Sequence, residues 1–330
     1  MSPQPVDLAS RLDPDHLAVL NALPPDLLDL SDIDRARTMI QQLTDGIPRP
    51  DMPADVTVED VQVPGLDGDP DVLVRLYRPD GLPADAPVLY WIHGGGMVLG
   101  SVDMNDYDCA ARASTLSCLV ASVEYRLAPE HPFPAPMHDC YAGLSWVAGN
   151  AAQLGIDPGR VAIGGASAGG GLAAGLALMA RDRGGPDICF QLLVYPMLDH
   201  RNETYSSQVI TDSRVWNLTA NRAGWDAYLG GPVSAGGESG GGAAAVSPYA
   251  SPAVAEDLSG LPPAYISVGE FDMFLDEDVA YASALIRAGV AAELHVYPGA
   301  FHGSNGFVSE SAISKRWQAD EEVALRAALA

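Results

Sequence analysis

The chain has 330 residues, of which 48% are hydrophobic and 18% charged, and it carries a formal charge of −25 at pH 7. Length and apolar content together describe a globular protein with a sizeable core, either one large α/β domain or two ordinary ones. The acid excess, with Lys315 the sole lysine, repels nucleic acid and anionic membranes and disfavours strongly anionic substrates.

No apolar run is long enough to span a bilayer, and the start, Met1-Ser2-Pro3-Gln4-Pro5, has neither a basic nor an apolar signal region. Cys109, Cys118, Cys140 and Cys189 show no C-x-x-C spacing, which fits reduced, buried thiols. A cytoplasmic protein is expected.

Residues 1 to about 50 are rich in Asp, Leu and Pro, with helical patches at Asp15–Leu20 and Ser31–Leu43. Ser31 followed by Asp34 reads as an N-cap with an acidic first turn. Alternation over Val56–Val63 and Val72–Tyr77, joined by Pro64-Gly65-Leu66-Asp67-Gly68-Asp69, predicts a hairpin. Pro87–Ile92 and Cys118–Val123 are continuous apolar runs, as in strands buried on both faces. A proline-rich loop, Glu124–Pro134, follows the second of them. Met137, Cys140, Tyr141, Leu144, Val147, Ala151 and Leu154 then recur at helical spacing, up to Gly155. Further strands are expected at Arg160–Gly164, Phe190–Pro196, Ala264–Gly269 and Ala292–Tyr297, with helices over Gly170–Arg181 and Phe274–Ala288. This alternation specifies a doubly wound, mostly parallel sheet. Residues 200–229, with Trp216 and Trp225, read as a helical insertion over the strand ends, and Gly230–Val246 as a low-complexity mobile loop.

The chemistry centres on Gly165-Ala166-Ser167-Ala168-Gly169, a G-x-S-x-G sequence between a strand and a helix. Small neighbours permit the sharp turn that lifts a nucleophilic serine above a sheet. His93-Gly94-Gly95-Gly96 ends the Pro87–Ile92 strand. It is either an ordinary glycine-rich loop or backbone that approaches a developing oxyanion closely. A serine needs a base, and the base needs a carboxylate. In chain order only His200, His295 and His302 follow Ser167. His200 precedes any well-placed acid and His295 lies mid-strand, where packing is expected, so His302, just past the last strand, is the base. Asp272, directly after its strand, is the preferred acid, with Glu270 its rival; Asp276, Glu277 and Asp278 are expected to solvate the next helix's first turn.

These segments, together with Tyr125-Arg126-Leu127-Ala128-Pro129-Glu130 and Tyr297–Gly303, resemble the hormone-sensitive-lipase-like (bacterial family IV) esterases of the α/β-hydrolase superfamily. The resemblance spans about residues 70–310. It implies an α/β-hydrolase fold with an eight-stranded, mostly parallel sheet in a single domain over 1–330. A helical cap would come from about 1–50 and 200–229. It implies a serine carboxylesterase acting through an acyl-enzyme on small-molecule esters of short to medium chain, with Ser167, Asp272 and His302 as triad. The oxyanion donors would be Gly95, Gly96 and Ala168, with Gly94 a further candidate that shapes the turn. Met97 and Trp216 are expected at the substrate pocket. No cofactor, metal, nucleic acid or membrane partner is implied, and a homodimer is in keeping with relatives.

The chain departs from that pattern at Ala166, at Met97, where an aromatic is usual, and at Met273-Phe274, where Pro-Leu often follows the acid. The same machinery suits a lactone, amide or formamide hydrolase. A non-catalytic small-ligand receptor on this fold is disfavoured because His302 is retained.

Overall fold

The computed structural model describes residues 5–46, 51–232 and 245–330; most of the low-complexity stretch, residues 233–244, lies outside the described residues. Eight strands form one sheet. They are β1 (Val56–Val63), β2 (Val72–Pro79), β3 (Ala86–Ile92), β4 (Leu119–Glu124), β5 (Ile156–Ala166), β6 (Phe190–Val194), β7 (Ala264–Phe271) and β8 (Ala292–Phe301). Their spatial order is β1-β2-β4-β3-β5-β6-β7-β8. The β1–β2 hairpin and the β2–β4 pair are antiparallel, and the pairs from β4 to β8 are parallel. The described helices are α1 (Pro14–Ala22), α2 (Ile33–Gly46), α3 (Asp106–Leu116), α4 (Ala135–Gly149), α5 (Ala151–Leu154) and α6 (Ala168–Arg183). They continue with α7 (Tyr205–Val209), α8 (Leu218–Tyr228), α9 (Leu275–Arg287), α10 (Ser304–Phe307) and α11 (Ala312–Ala328).

β3 is buried at every position, because α4, α6 and α9 cover one face of the sheet while α3 and α11 cover the other. A strand covered on both faces has no polar side to show, hence its unbroken apolar run. Helix α6 is buried from Ala168 to Ala180. Its many Gly and Ala residues let it lie close against the sheet while other chain segments pass over it.

Several details differ from the sequence expectation. The backbone N–H of Arg35 is accepted by Asp32, at 3.0 Å, so Asp32 and not Ser31 caps α2. The helix predicted up to Gly155 breaks at Asn150 into α4 and α5. The 200–229 insertion is largely irregular backbone carrying the short α7 and the longer α8. His295 is half-exposed and paired with Glu293 at 2.7 Å, because β8 is the sheet's edge and its side chains meet solvent. Helices α3 and α11 were not anticipated. The buried stripe of α11 is Ser314, Trp317, Glu321 and Leu325, a correct helical spacing obscured by its polar members.

Glu321 is a consequence of that stripe. Burial, only partly offset by Arg112 at 2.9 Å, pushes its carboxyl up to about 7. The folded chain thus holds a proton that an unfolded Glu, with its ordinary value of 4.5, has already released. Glu321 therefore favours folding most below about pH 4.5, and this contribution is lost as pH rises to about 7. Melting curves of Glu321→Gln against wild type should show the variant gaining relative stability from pH 5 to 7.5. A pH-independent difference in Tm would refute this assignment.

Candidate active site

Sheet order locates the site before any side chain is considered. From β3 the chain goes to β4 on one side and then returns to β5 on the other. At such a reversal the loops leaving the two central strands diverge and open a crevice at their C-terminal ends. Ile92 pairs with Gly165 across β3 and β5, so His93–Gly96 and Ala166–Ser167 leave the sheet side by side in that crevice.

Ser167 stands between β5 and α6 with φ 58° and ψ −121°. A side-chain-bearing residue avoids this region at a cost of about 1–3 kcal/mol, so the surroundings must impose it. Its N–H donates to Val194 at 2.9 Å, and its carbonyl accepts from Gly171 and Met197, each at 3.0 Å. The turn also depends on Gly169, where an added Cβ would lie 2.1 Å from the carbonyl oxygen of Ile92. The result is a serine hydroxyl held at the head of a helix, with only 7% of the residue exposed.

β7 ends just before Asp272 and β8 just before His302. Their register shifts near the end: Gly269 pairs with Tyr297, but Phe271 pairs with Phe301. Two extra residues of β8 are accommodated there, a bulge that includes Gly299 at φ +80°. Without the shift Asp272 would face Ala300. With it, His302 Nδ1 lies 2.7 Å from Asp272 Oδ2, and His302 Nε2 lies 3.0 Å from Ser167 Oγ. A carboxylate accepts, so Nδ1 carries the proton and Nε2 presents its lone pair to the serine hydroxyl. Asp272 is fully buried, and its Oδ1 accepts from the Phe274 N–H at 3.0 Å.

Glu270, the rival acid, is engaged elsewhere: it accepts from Arg11 at 2.6 Å and from the Gly299 N–H at 3.1 Å. It thus secures the bulge. The expectation for the acidic run after Asp272 needs correction. Asp276 accepts from the Ser206 N–H at 2.7 Å, and Glu277 is buried, accepting from the N–H groups of Leu198 and Asp199. Asp278 is also fully buried, and burial raises the carboxyls of both Glu277 and Asp278 well above the ordinary range. Asp276 and Glu277 fasten residues 198–206 to the segment after β7, and Asp278 sits in the core, instead of meeting solvent.

Opposite the serine, the 93–96 loop is stiffened from beneath. Burial lowers the His93 ring to about 4, so it is neutral, and its Nδ1–H donates to the Gly94 carbonyl at 2.8 Å. Tyr125 stacks on that ring at 4.2 Å, and its hydroxyl donates to the His93 carbonyl at 3.0 Å. Arg126 forks onto buried Asp139, which also accepts the Arg126 N–H at 2.8 Å. Among the described residues, the N–H groups of Gly94, Gly95, Gly96 and Ala168 donate to no protein acceptor. Three of these, on Gly95, Gly96 and Ala168, are the donors expected from the sequence.

Trp216, carried by the 200–229 insertion, covers Gly96 so closely that a Cβ there would lie 2.2 Å from its indole ring. Its ring centroid is 6.5 Å from that of His302, and its Nε1–H donates to Asn221 at 2.8 Å. Met97 is fully buried, with its carbonyl accepting from the Ala128 N–H at 2.9 Å. Two aromatic neighbours of His302 escaped the sequence reading, Tyr195 at 4.7 Å and Phe274 at 5.2 Å between centroids. Tyr195 directly follows β6 and Phe274 lies three residues past β7, and strand-end position was the available signal. Among the described residues no group of three His, Cys, Asp or Glu side chains could hold a metal ion. No helix among them is long and apolar enough to cross a membrane.

Comparison with known proteins agrees with this geometry. Residues 89–305 match the sequence family described as alpha/beta hydrolase fold. The chain is 37% identical over 303 residues to the esterase LipI of Mycobacterium tuberculosis, covering 91% of this chain and 90% of that protein. It is also 37% identical to the carboxylesterase NlhH of the same species, over 92% of each. Among solved structures, a bacterial heroin esterase superposes with a TM-score of 0.90 at 43% identity, covering 97% of this chain and 98% of that one. The chain belongs to the α/β-hydrolase family, in its hormone-sensitive-lipase-like branch.

Proposed function

We propose that the protein is a serine carboxylesterase acting on esters of short to medium chain, with Ser167 as nucleophile, His302 as base and Asp272 as the acid that orients it. The observation that carries this reading is the unbroken path from buried Asp272 through His302 to Ser167, beside N–H groups that donate to no acceptor among the described residues. As Ser167 Oγ attacks the ester carbonyl carbon, its proton passes to His302 Nε2 and the carbonyl oxygen becomes an oxyanion. The N–H groups of Gly95, Gly96 and Ala168 stabilise that charge, and each such donor typically contributes about a hundred- to a thousandfold in rate. Collapse breaks the bond to the alcohol, which leaves with the proton from His302. Water, deprotonated by the same imidazole, then releases the acid and regenerates Ser167.

Trp216 over Gly96 places an apolar wall beside the reacting carbon, and Met97 shapes the turn beneath it. We take the chain as one catalytic domain, with the cap built from the N-terminal helices and residues 200–229. The reading extends to a cytoplasmic enzyme for small dissolved esters and, by resemblance, a homodimer.

A chromogenic ester series from acetyl to dodecanoyl tests the substrate class, and an alkyl p-nitrophenyl phosphonate tests the nucleophile. Turnover with a short- or medium-chain optimum is expected, as is one phosphonyl adduct per chain, mapped to Ser167. A folded protein inert toward every ester yet active on lactones, amides or formamides would replace the substrate class. Failure of Ser167 to take the phosphonate would overturn the mechanism.

A further inference from the structure

The loop that carries Gly95 and Gly96 has few ties to the sheet that holds Ser167. Within the loop, the N–H groups of Val98 and Leu99 both donate to the Gly95 carbonyl, at 3.1 and 2.8 Å, which closes the turn. At its exit, the Met97 carbonyl accepts from the Ala128 N–H. That leaves the carbonyls of Val98 and Ala128, two fully buried residues whose backbone oxygens receive no other hydrogen bond among the described residues. Buried carbonyls are rarely left unpaired. Here both are satisfied by one side chain from elsewhere in the sequence, Arg37 on α2. Its Nε–H donates to Val98 at 2.9 Å, and its Nη2 donates to Ala128 at 3.0 Å.

The other edge of the same guanidinium is occupied by Glu130, at 2.6 Å from Nη1 and 2.9 Å from Nη2. Both edges of a rigid planar group are therefore in use. One grips two backbone carbonyls, and the other is held in plane by a carboxylate that the guanidinium keeps down at about 2. A lysine ammonium has neither the plane nor the spacing to make these contacts together. The exit of the turn is thereby joined to the 125–130 loop twice, directly through Met97 and Ala128 and indirectly through Arg37. Tyr125 and Arg126 anchor that loop in turn to His93 and Asp139.

We propose that Arg37 is a positioning residue for the oxyanion hole, so that the N-terminal helix α2 sets the placement of the Gly95–Gly96 turn over Ser167. This rests on the reading of those glycines as oxyanion donors. The N-terminal segment is on this view part of the catalytic frame as well as a cover over the substrate. Arg37 touches no reacting atom. Its effect falls on the transition state because the donors must meet the oxyanion at about 3 Å, and a displacement of about 1 Å costs up to about a hundredfold.

The experiment compares wild type, Arg37→Ala, Arg37→Lys and Glu130→Gln on an acetyl ester, with rates expressed per site titrated by the phosphonate. Arg37→Ala should lose about 10- to 100-fold in kcat with KM changed by less than about threefold. Its affinity for a trifluoromethyl ketone, which forms a hemiketal oxyanion on Ser167, should fall by a similar factor, while acetate inhibits as in wild type. Arg37→Lys should recover only a small part of the loss. Glu130→Gln keeps both carbonyl contacts and should stay within about threefold of wild type. A merely structural role would lower the titratable fraction and leave kcat per site and ketone affinity untouched, and that result overturns the proposal. So does a Glu130→Gln loss equal to that of Arg37→Ala. If Arg37→Ala does not fold, Arg37→Lys carries the same comparison. Failure of the wild type to turn over esters strikes the esterase reading alone, because ketone affinity in wild type and Arg37→Ala still reports whether the oxyanion donors have moved, and equal affinities would overturn the proposal.

Discussion

Ser167→Ala should lower kcat for ester hydrolysis by about a millionfold. The alanine keeps the oxyanion donors and the pocket but removes the oxygen that becomes acylated, so only the background of binding and oxyanion stabilisation remains, about 10³–10⁴ over water. Ser167 carries its strain at φ 58° through neighbours and not through its own hydroxyl. The variant should therefore fold with unchanged near-UV circular dichroism and still bind product acid. It should form no phosphonyl adduct. Residual activity above about 1% of wild type, in a preparation free of wild-type carry-over, would mean that another group is the nucleophile.

Asp272→Asn should lower kcat by about ten-thousandfold, whereas Glu270→Gln should change it only a few-fold. The asymmetry follows from the hydrogen bonds each group makes. The Phe274 N–H already engages Asp272 Oδ1 at 3.0 Å, so an asparagine would place its carbonyl oxygen there and turn its NH₂ toward His302. Facing a donor, Nδ1 must become the acceptor, the proton moves to Nε2, and the imidazole then donates to Ser167 instead of accepting from it. The ring is present but in the wrong tautomer. Glu270→Gln instead weakens the contact to Arg11 and the support of the Gly299 N–H, which is expected to cost thermal stability more than rate. Steady-state rates and melting temperatures of the two variants, taken together, decide the matter. A collapse of kcat in Glu270→Gln with Asp272→Asn active would reverse the assignment of the acid.

The aromatic surroundings of His302 bear on both results. Tyr195, Phe274 and Trp216 limit its approach directions, and only 11% of its side chain is exposed. Water is thus restricted around the base, which strengthens the electrostatic contacts on which proton transfer and oxyanion stabilisation depend. Trp216 comes from the 200–229 insertion and Tyr195 from the end of β6, so the cage is assembled from segments that share no local sequence signal.

Much of the site was nonetheless readable from the chain. Each of Gly94–Gly96, Ser167, Asp272 and His302 lies just past the end of a strand, and strand ends are where parallel sheets present functional groups. Strand periodicity, small residues around the serine and chain order are local properties, so they survive in a linear reading. They placed all eight strands and chose His302 over His200 and His295.

What the linear reading could not reach depends on register and on contacts between distant segments. Loop position already favoured Asp272 over Glu270, but what brings Asp272 to His302 is a two-residue shift in the β7–β8 pairing, which no property of either strand alone specifies. The pairing of Glu277 with Leu198 and of Asp276 with Ser206 joins segments about 70 to 79 residues apart. Arg37 lies 61 residues from Val98 and 91 from Ala128, and nothing in its helix marks it apart from the other arginines. The sequence by itself determined the fold class and the order of the chemical groups, because hydrophobic periodicity and turn sterics act over a few residues. Only the tertiary structure decided how the favoured carboxylate reaches the histidine and what ties down the turn after Gly94–Gly96, because hydrogen bonds and burial act through space.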